Sequence, residues 1–193
     1  QIDVNKFLDQ VPGFPMIALV QKKAGQSYNI GGDWHTDHSY DVAPALGSIL
    51  IARQVPPKGG DTLFANMYSA LDTLSDGMKA TLEGLSTVHG TSHVFGVNGR
   101  TPRLYALDED PRAIPREDFV IQEAIHKAVI RHPISGRKAL YVDPGYTQRV
   151  DGWSDEESSP FLKVLYDHAT RPEHTYRFEW KPGSIAFWDN RCT

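Results

Sequence analysis

The sequence predicts a mainly β protein, an antiparallel double-layer sheet carrying helical insertions. Three observations lead there. Short apolar or alternating runs recur along the chain, separated by turns rich in Pro and Gly, as strands are. Helical spacing is confined to two places, residues 66–85 and the stretch that opens at Ser154. Strands joined by turns, with helices gathered apart from them, pack as stacked sheets with helices set to one side.

Val11-Pro12-Gly13-Phe14-Pro15 is a turn-rich break, and residues 16–20 make a short apolar strand. Residues 24–33 read as a loop in which Gly25, Gly31 and Gly32 permit unusual backbone angles. Residues 46–52 are apolar apart from Ser48 and read as a buried strand; the turn at 56–60 then leads into a strand over 61–65. Leu71, Leu74, Met78 and Leu82 recur at helical spacing, with Ser75 or Asp76 capping a second short helix, and Gly77 speaks against one unbroken rod. Residues 88–98 begin as a strand and loosen. Residues 99–117, with Pro102, Pro111, Pro115 and many charges, read as an insertion or a flap over a site.

Residues 129–132 and 138–142 flank a Pro133-Ile134-Ser135-Gly136 turn, a hairpin pattern. Ser154-Asp155-Glu156-Glu157 reads as a capping box opening a helix to about His168, unless Pro160 defers its start to Ser158 or Ser159. Tyr176, Phe178 and Trp180 alternate with Arg177 and Glu179 as in a half-buried strand. Lys181-Pro182-Gly183 then turns it onto an antiparallel partner over 184–188.

The 193 residues fit a single domain with a substantial core. A net charge of −4 gives no electrostatic case for nucleic acid or an anionic membrane, and no apolar run approaches the ~20 residues a bilayer span needs. One cysteine, Cys192, excludes an internal disulfide and fits a reducing cytoplasm; it reads as a small core residue or a reactive thiol. Residue 1 is Gln, and Thr193 follows directly on a strand-like run, so both ends read as cut from a longer protein.

The chemistry is concentrated at Trp34-His35-Thr36-Asp37. In extended backbone, His35 and Asp37 point to one side, where an imidazole and a carboxylate together can grip a divalent metal. With one further His, such a pair makes the facial triad of non-haem iron sites. A zinc structural module does not fit one cysteine and unpaired histidines.

Three further blocks follow in order: Pro44-Ala45-Leu46-Gly47-Ser48-Ile49-Leu50 with Pro57-Lys58-Gly59-Gly60-Asp61-Thr62; Arg131 through Leu140; and Trp188-Asp189-Asn190-Arg191-Cys192-Thr193. The ordered set resembles the taurine dioxygenase (TauD/TfdA) family of iron(II)- and 2-oxoglutarate-dependent dioxygenases, from about Pro12 to Thr193. The resemblance implies a double-stranded β-helix, the jelly roll, with the C-terminal part of the barrel missing from these residues. It implies iron(II), 2-oxoglutarate and dioxygen as cofactors and cosubstrates, and oxidation of a small organic anion (a sulfonate, sulfate ester or aryloxyalkanoate) with release of succinate and carbon dioxide. The alternative is a non-catalytic jelly-roll domain without a complete iron site. A homo-oligomer stays open.

By the same resemblance His35 and Asp37 are iron ligands. Thr62 donates to the distal carboxylate of 2-oxoglutarate, and Asn29 faces substrate. The distal His and the 2-oxoglutarate arginine are expected beyond Thr193, and His132 takes the place of a structural histidine. Asp61 reads as a turn residue, Trp34 and Trp188 as walls of the metal pocket, and His38 as either a partner of the ligands or an exposed side chain. Phe14 stands where taurine-specific members carry a sulfonate-binding histidine, which argues for a larger or less polar substrate than taurine.

Overall fold

The structure, a computed structural model, describes residue 8 and residues 10–22, 29–95 and 121–193. The expected flap at 99–117 lies outside the described residues. The chain divides into two compact units, Gln1–Trp34 and His35–Thr193.

In the first unit, β1 (Gln10–Val11) pairs antiparallel with β2 (Phe14–Ala18) around a turn at Gly13, whose φ of +82° suits glycine. The predicted strand is therefore real but begins two residues early, inside the expected break.

In the second unit β3 (Gly47–Ile51) and β4 (Thr62–Ala65) follow the two predicted runs. Then come α1 (Met67–Asp72), capped by the Asn66 side chain, and α2 (Asp76–Gly84), capped by Ser75. The predicted helical region is thus two helices, broken before Ser75. Strand β5 (Ser86–Gly90), α3 (Ser92–Phe95), β6 (Glu123–Lys127), the β7 (Val129–Arg131)/β8 (Lys138–Leu140) hairpin and β9 (Thr147–Val150) lead to α4 (Asp155–Ala169). The chain closes with β10 (Thr175–Phe178) and β11 (Ile185–Asp189).

Helix α4 starts at Asp155. Both hydrogen bonds of the Ser154/Glu157 capping box are made, and Asp155, Glu156 and Glu157 place three carboxylates at the positive helix end, so Pro160 sits inside the helix instead of deferring its start.

All pairings are antiparallel. β5 is central, between β6 and β9; β4 pairs with β10, and β3 with β11. The expected β10–β11 hairpin is absent among the described residues. Gly183 N–H donates to Ala52 O and Ala52 N–H to Ser184 O, so the Lys181-Pro182-Gly183 turn carries the chain from the β4 sheet across to β3. Phe64 packs on Trp188 at 5.2 Å between ring centroids, joining the inward faces of the two pairs. Leu82, Val88, Leu140, Val150, Leu162 and Leu165 fill the core between β5, β8, β9 and the helices.

Two burial expectations fail. β3 is open on its outer face, with Ile49 65% exposed, because a continuous apolar run does not reveal whether one or both faces are covered. Tyr176 is 66% exposed although it shares a face with its cross-strand partner Phe64, because the two line an open cavity. Strands β6 and β9 had no sequence signal. Glu-Ala-Ile-His-Lys and Thr-Gln-Arg-Val become strands through their pairing with β5, not through propensity. Among the described residues no helix is long and apolar enough to cross a membrane.

Candidate active site

The second unit opens with the predicted motif. Thr36 is buried and its Oγ1 donates to Thr193 O at 3.3 Å, so the residue between His35 and Asp37 is turned away from them. That leaves His35 and Asp37 on a shared side, as the period of extended chain requires. His35 Nε2 and Asp37 Oδ1 stand 3.3 Å apart, with side chains 29% and 30% exposed. The chain then turns over 37–40. His38 takes a φ of +61°, uncommon for a residue with a Cβ, and its Nδ1 meets Asp41 Oδ2 at 2.9 Å. His38 is therefore half-buried and engaged with Asp41.

The second oxygen of Asp37 is held from the sheet. Ser48 Oγ, on the inward face of β3, donates to Asp37 Oδ2 at 2.6 Å. Burial pushes the Asp37 carboxyl up, but hydrogen bonds from His35 and Ser48, with the nearby His35 and His38 charges, outweigh it and hold the group below its ordinary value.

Behind His35 lies the turn Asp143-Pro144-Gly145-Tyr146. A Cβ on Gly145 would run into His35 Cβ and stand 3.0 Å from His35 Cα, so this backbone approaches the motif in a way only glycine permits. Tyr146 meets the His35 ring edge-on at 6.0 Å. Asp143 is buried, accepts from Tyr146 N–H at 2.7 Å, and has its carboxyl pushed up to about 6 by that burial. His89 Nδ1 lies 3.7 Å from Asp143 Oδ2, and burial with the His126 charge pushes the imidazole down to about 3.

The donor set fits a divalent cation. Two donors bound at ~2.1 Å at right angles to each other stand roughly 3 Å apart. The His35–Asp37 spacing is close to that, one donor is nitrogen and one oxygen, and both side chains are partly open. Among the described residues no third His, Cys, Asp or Glu joins them. The one group of three is His132, Asp189 and Cys192. That group is already satisfied: Arg191 Nε and Nη2 donate to the two oxygens of Asp189 at 2.8 and 2.6 Å, and His132 Nε2 donates to Oδ2 at 2.9 Å.

Thr62 is engaged by a tryptophan just after β10. Its Oγ1 accepts from Trp180 Nε1 at 2.9 Å. Phe64, two residues on and on the same face of β4, packs on Trp188, the cross-strand partner of Ser48, so Thr62 faces the same interior as the Asp37 support. Asn29 belongs to the first unit, where its Oδ1 accepts from Lys22 Nζ at 2.6 Å. Asp61 is bound by Arg177 Nη1 at 2.9 Å, and Cys192 is half-buried, not a core residue. A cavity of about 430 Å³ opens elsewhere, between α1 and β10, lined by Phe64, Tyr68, His174, Tyr176 and Thr193 among others; none of the four predicted site residues lines it.

Ser48, Asn190 and the Asp143–Tyr146 turn belong to the site without a motif that marks them in the sequence. Ser48 carried a signal: a lone hydroxyl in an apolar strand must find a partner. Nothing in the sequence says that the partner is Asp37.

The profile of the taurine catabolism dioxygenase TauD, TfdA family matches residues 5–193. The chain belongs to that family. Among TauD/TfdA proteins it is 34% identical to the alpha-ketoglutarate-dependent sulfate ester dioxygenase of Pseudomonas putida, over 100% of this chain and 58% of that protein. A crystal structure of a taurine dioxygenase from Burkholderia xenovorans matches with a TM-score of 0.73 at 31% identity, covering 98% of this chain and 57% of that one. The structure of AAD-2 in complex with Mn(II) and N-oxalylglycine matches with a TM-score of 0.69 at 34% identity, over 82% of this chain and 59% of that one. The chain spans about half the length of the curated relatives it matches, from 38% to 58%.

Proposed function

We propose that this chain carries the metal-binding core of an iron(II)- and 2-oxoglutarate-dependent dioxygenase. Its substrate is a small organic anion, a sulfonate, sulfate ester or aryloxyalkanoate, and succinate and carbon dioxide are released. The observation that carries the reading is the pairing of His35 Nε2 with Asp37 Oδ1 at 3.3 Å while Ser48 engages the other carboxylate oxygen. Family membership and the names of the relatives support it. Nothing observed favours a non-catalytic barrel.

In this reading His35 and Asp37 are two of the iron ligands. Bound iron, with 2-oxoglutarate and dioxygen, supplies the oxidising power that no side chain has. The chain supplies placement. Ser48 fixes the carboxylate, Gly145 lets the turn seat His35, and Tyr146 and Trp188 shield the site from water. Thr62 already accepts from Trp180, which leaves its own proton for a carboxylate of 2-oxoglutarate, a charge-assisted bond. Asn29 is assigned to substrate. Phe14 in place of a sulfonate-binding histidine points away from taurine.

The test is succinate formation by the complete protein with iron(II), ascorbate and 2-oxoglutarate across a panel of sulfonates, sulfate esters and aryloxyalkanoates. Substrate-stimulated succinate that His35→Ala abolishes is the expected result. Turnover unaffected by His35→Ala would refute the site, and silence across the panel in iron-loaded protein would refute the substrate class.

A further inference from the structure

We propose that Ser48 and Asn190 form a relay that decides which oxygen of Asp37 is offered to a metal, and so sets the affinity of the site. The inference rests on the reading of His35 and Asp37 as ligands.

Asn190 is 1% exposed and follows the last residue of β11. Its backbone N–H donates to Leu46 O at 3.0 Å, prolonging the β3–β11 ladder by one rung. Its Nδ2 donates to Ala45 O at 3.4 Å, and because a carbonyl only accepts, that contact fixes which end of the amide is NH2. The same Nδ2 donates to Ser48 Oγ at 3.2 Å. A serine hydroxyl has one proton to give. Its two candidate acceptors are Asp37 Oδ2 at 2.6 Å and Asn190 Oδ1 at 3.5 Å. The shorter contact, to a charged oxygen, takes it. The order of donation is therefore Asn190 to Ser48 to Asp37.

The consequence is directional. Oδ2 is committed to the sheet, and Oδ1 is the oxygen that faces His35 Nε2. Ser48 sits opposite Trp188 in the β3–β11 register, one rung from the Asp189–Gly47 pair. Gly47 has no room for a Cβ against Trp188 O, so the two strands are locked at close approach where the relay crosses between them. The orientation of the carboxylate is thus set by the rigid sheet and not by the His35–Tyr40 segment that bears it. Removing an outer-shell partner of a metal ligand weakens metal binding by about 10- to 100-fold, and Ser48 and Asn190 are positioning residues of that kind.

The experiment is an anaerobic titration of the complete protein with Mn(II), followed by the electron paramagnetic resonance signal of free Mn(II), with no substrate or turnover. Metal-free melting curves are recorded alongside. Ser48→Ala and Asn190→Ala are expected to weaken Mn(II) binding about tenfold or more, the first with little change in metal-free melting and the second with a lower one because it strips buried hydrogen bonds from Ala45 and Ser48, and Ser48→Thr, which keeps the hydroxyl, is expected to restore it. Ser48→Cys, nearly isosteric with a far weaker donor, gives the same test should the alanine variant not fold. Binding by Ser48→Ala or Ser48→Cys as tight as wild type overturns the relay, as does Ser48→Thr losing as much as Ser48→Ala. His35→Ala separates the two ideas. If wild type binds Mn(II) and His35→Ala does not, the ligand assignment stands whatever Ser48 does; if His35→Ala binds as wild type does, the ligand reading and the relay fall together.

Discussion

His132 Nε2 lies 2.9 Å from Asp189 Oδ2, and His35 Nε2 lies 3.3 Å from Asp37 Oδ1. The residue types are the same and the spacings similar, yet the surroundings differ at every other atom. Around His132 each group is committed. Its Nδ1 accepts from the Ile134 and Ser135 N–H groups, and the Arg191 guanidinium holds Asp189 well below the usual carboxylate range. This pair clamps the β7–β8 hairpin to the end of β11. Around His35 the sheet takes one carboxylate oxygen, and the other faces the imidazole from a partly open side. A pair whose carboxylate is also gripped by a guanidinium holds structure; one whose second oxygen shares a partly open side with its histidine can receive a ligand.

Exchanging the damage between the pairs is the sharpest way to break this comparison, and it carries the largest effects. His132→Ala should cost about 3 kcal/mol of stability, because it opens a buried gap and strips hydrogen bonds from Asp189, Ile134 and Ser135. His35→Ala should leave stability within about 1 kcal/mol of wild type while metal binding is lost. Urea unfolding and Mn(II) titration on both variants measure this. If His35→Ala unfolds the protein and His132→Ala empties the site, the roles have been assigned the wrong way round.

A smaller effect is expected from behind the open pair. Gly145→Ala places a methyl against His35 Cβ and 3.0 Å from Asp143 Oδ1, so either the turn or the motif must shift. The expected cost is roughly 1–3 kcal/mol, with weaker Mn(II) binding that the same change at the open-sided Gly77 does not produce. Equal Mn(II) affinity in Gly145→Ala would mean that the turn yields and His35 stays seated without it.

What was legible in the sequence follows from what is local. The capping box of α4, the β7–β8 turn and the common side of His35 and Asp37 depend on residues a few positions apart, and the structure has all three. Ser48 and Asn190 are 142 residues apart and meet only because β3 and β11 pair. The same holds for Gly145 and His35, brought together by the turn before β9, a strand with no signal of its own. That β10 and β11 pair with β4 and β3 and not with each other was hidden too, since a short Pro-Gly turn fits a hairpin and a crossing between sheets equally well. Residue type names candidates for chemistry; pairing decides which of them are supported.

A further histidine–aspartate contact, His89 with Asp143, extends the comparison to a pair that is neither clamp nor ligand. At 3.7 Å it is too long for a hydrogen bond. Burial disfavours both charges, moving His89 from 6.5 down to about 3 and Asp143 from 3.8 up to about 6. At neutral pH His89 is therefore uncharged and the contact is no ion pair. The two groups act on acid stability with opposite sign. Between pH 6.5 and about 3 the unfolded chain binds a proton at His89 that the fold refuses, so stability falls as pH falls. Between about 6 and 3.8 the fold binds a proton at Asp143 that the unfolded chain does not, so stability rises as pH falls. His89→Gln should therefore flatten the loss of urea midpoint between pH 7 and pH 5, and Asp143→Asn should steepen it. Because the wild-type slope is a difference of opposed contributions, each single variant should show a larger departure than the wild type's own pH dependence suggests. Slopes that move in the same direction in both variants would mean that the two groups titrate as one charged pair, and that His89 carries a proton in the fold after all.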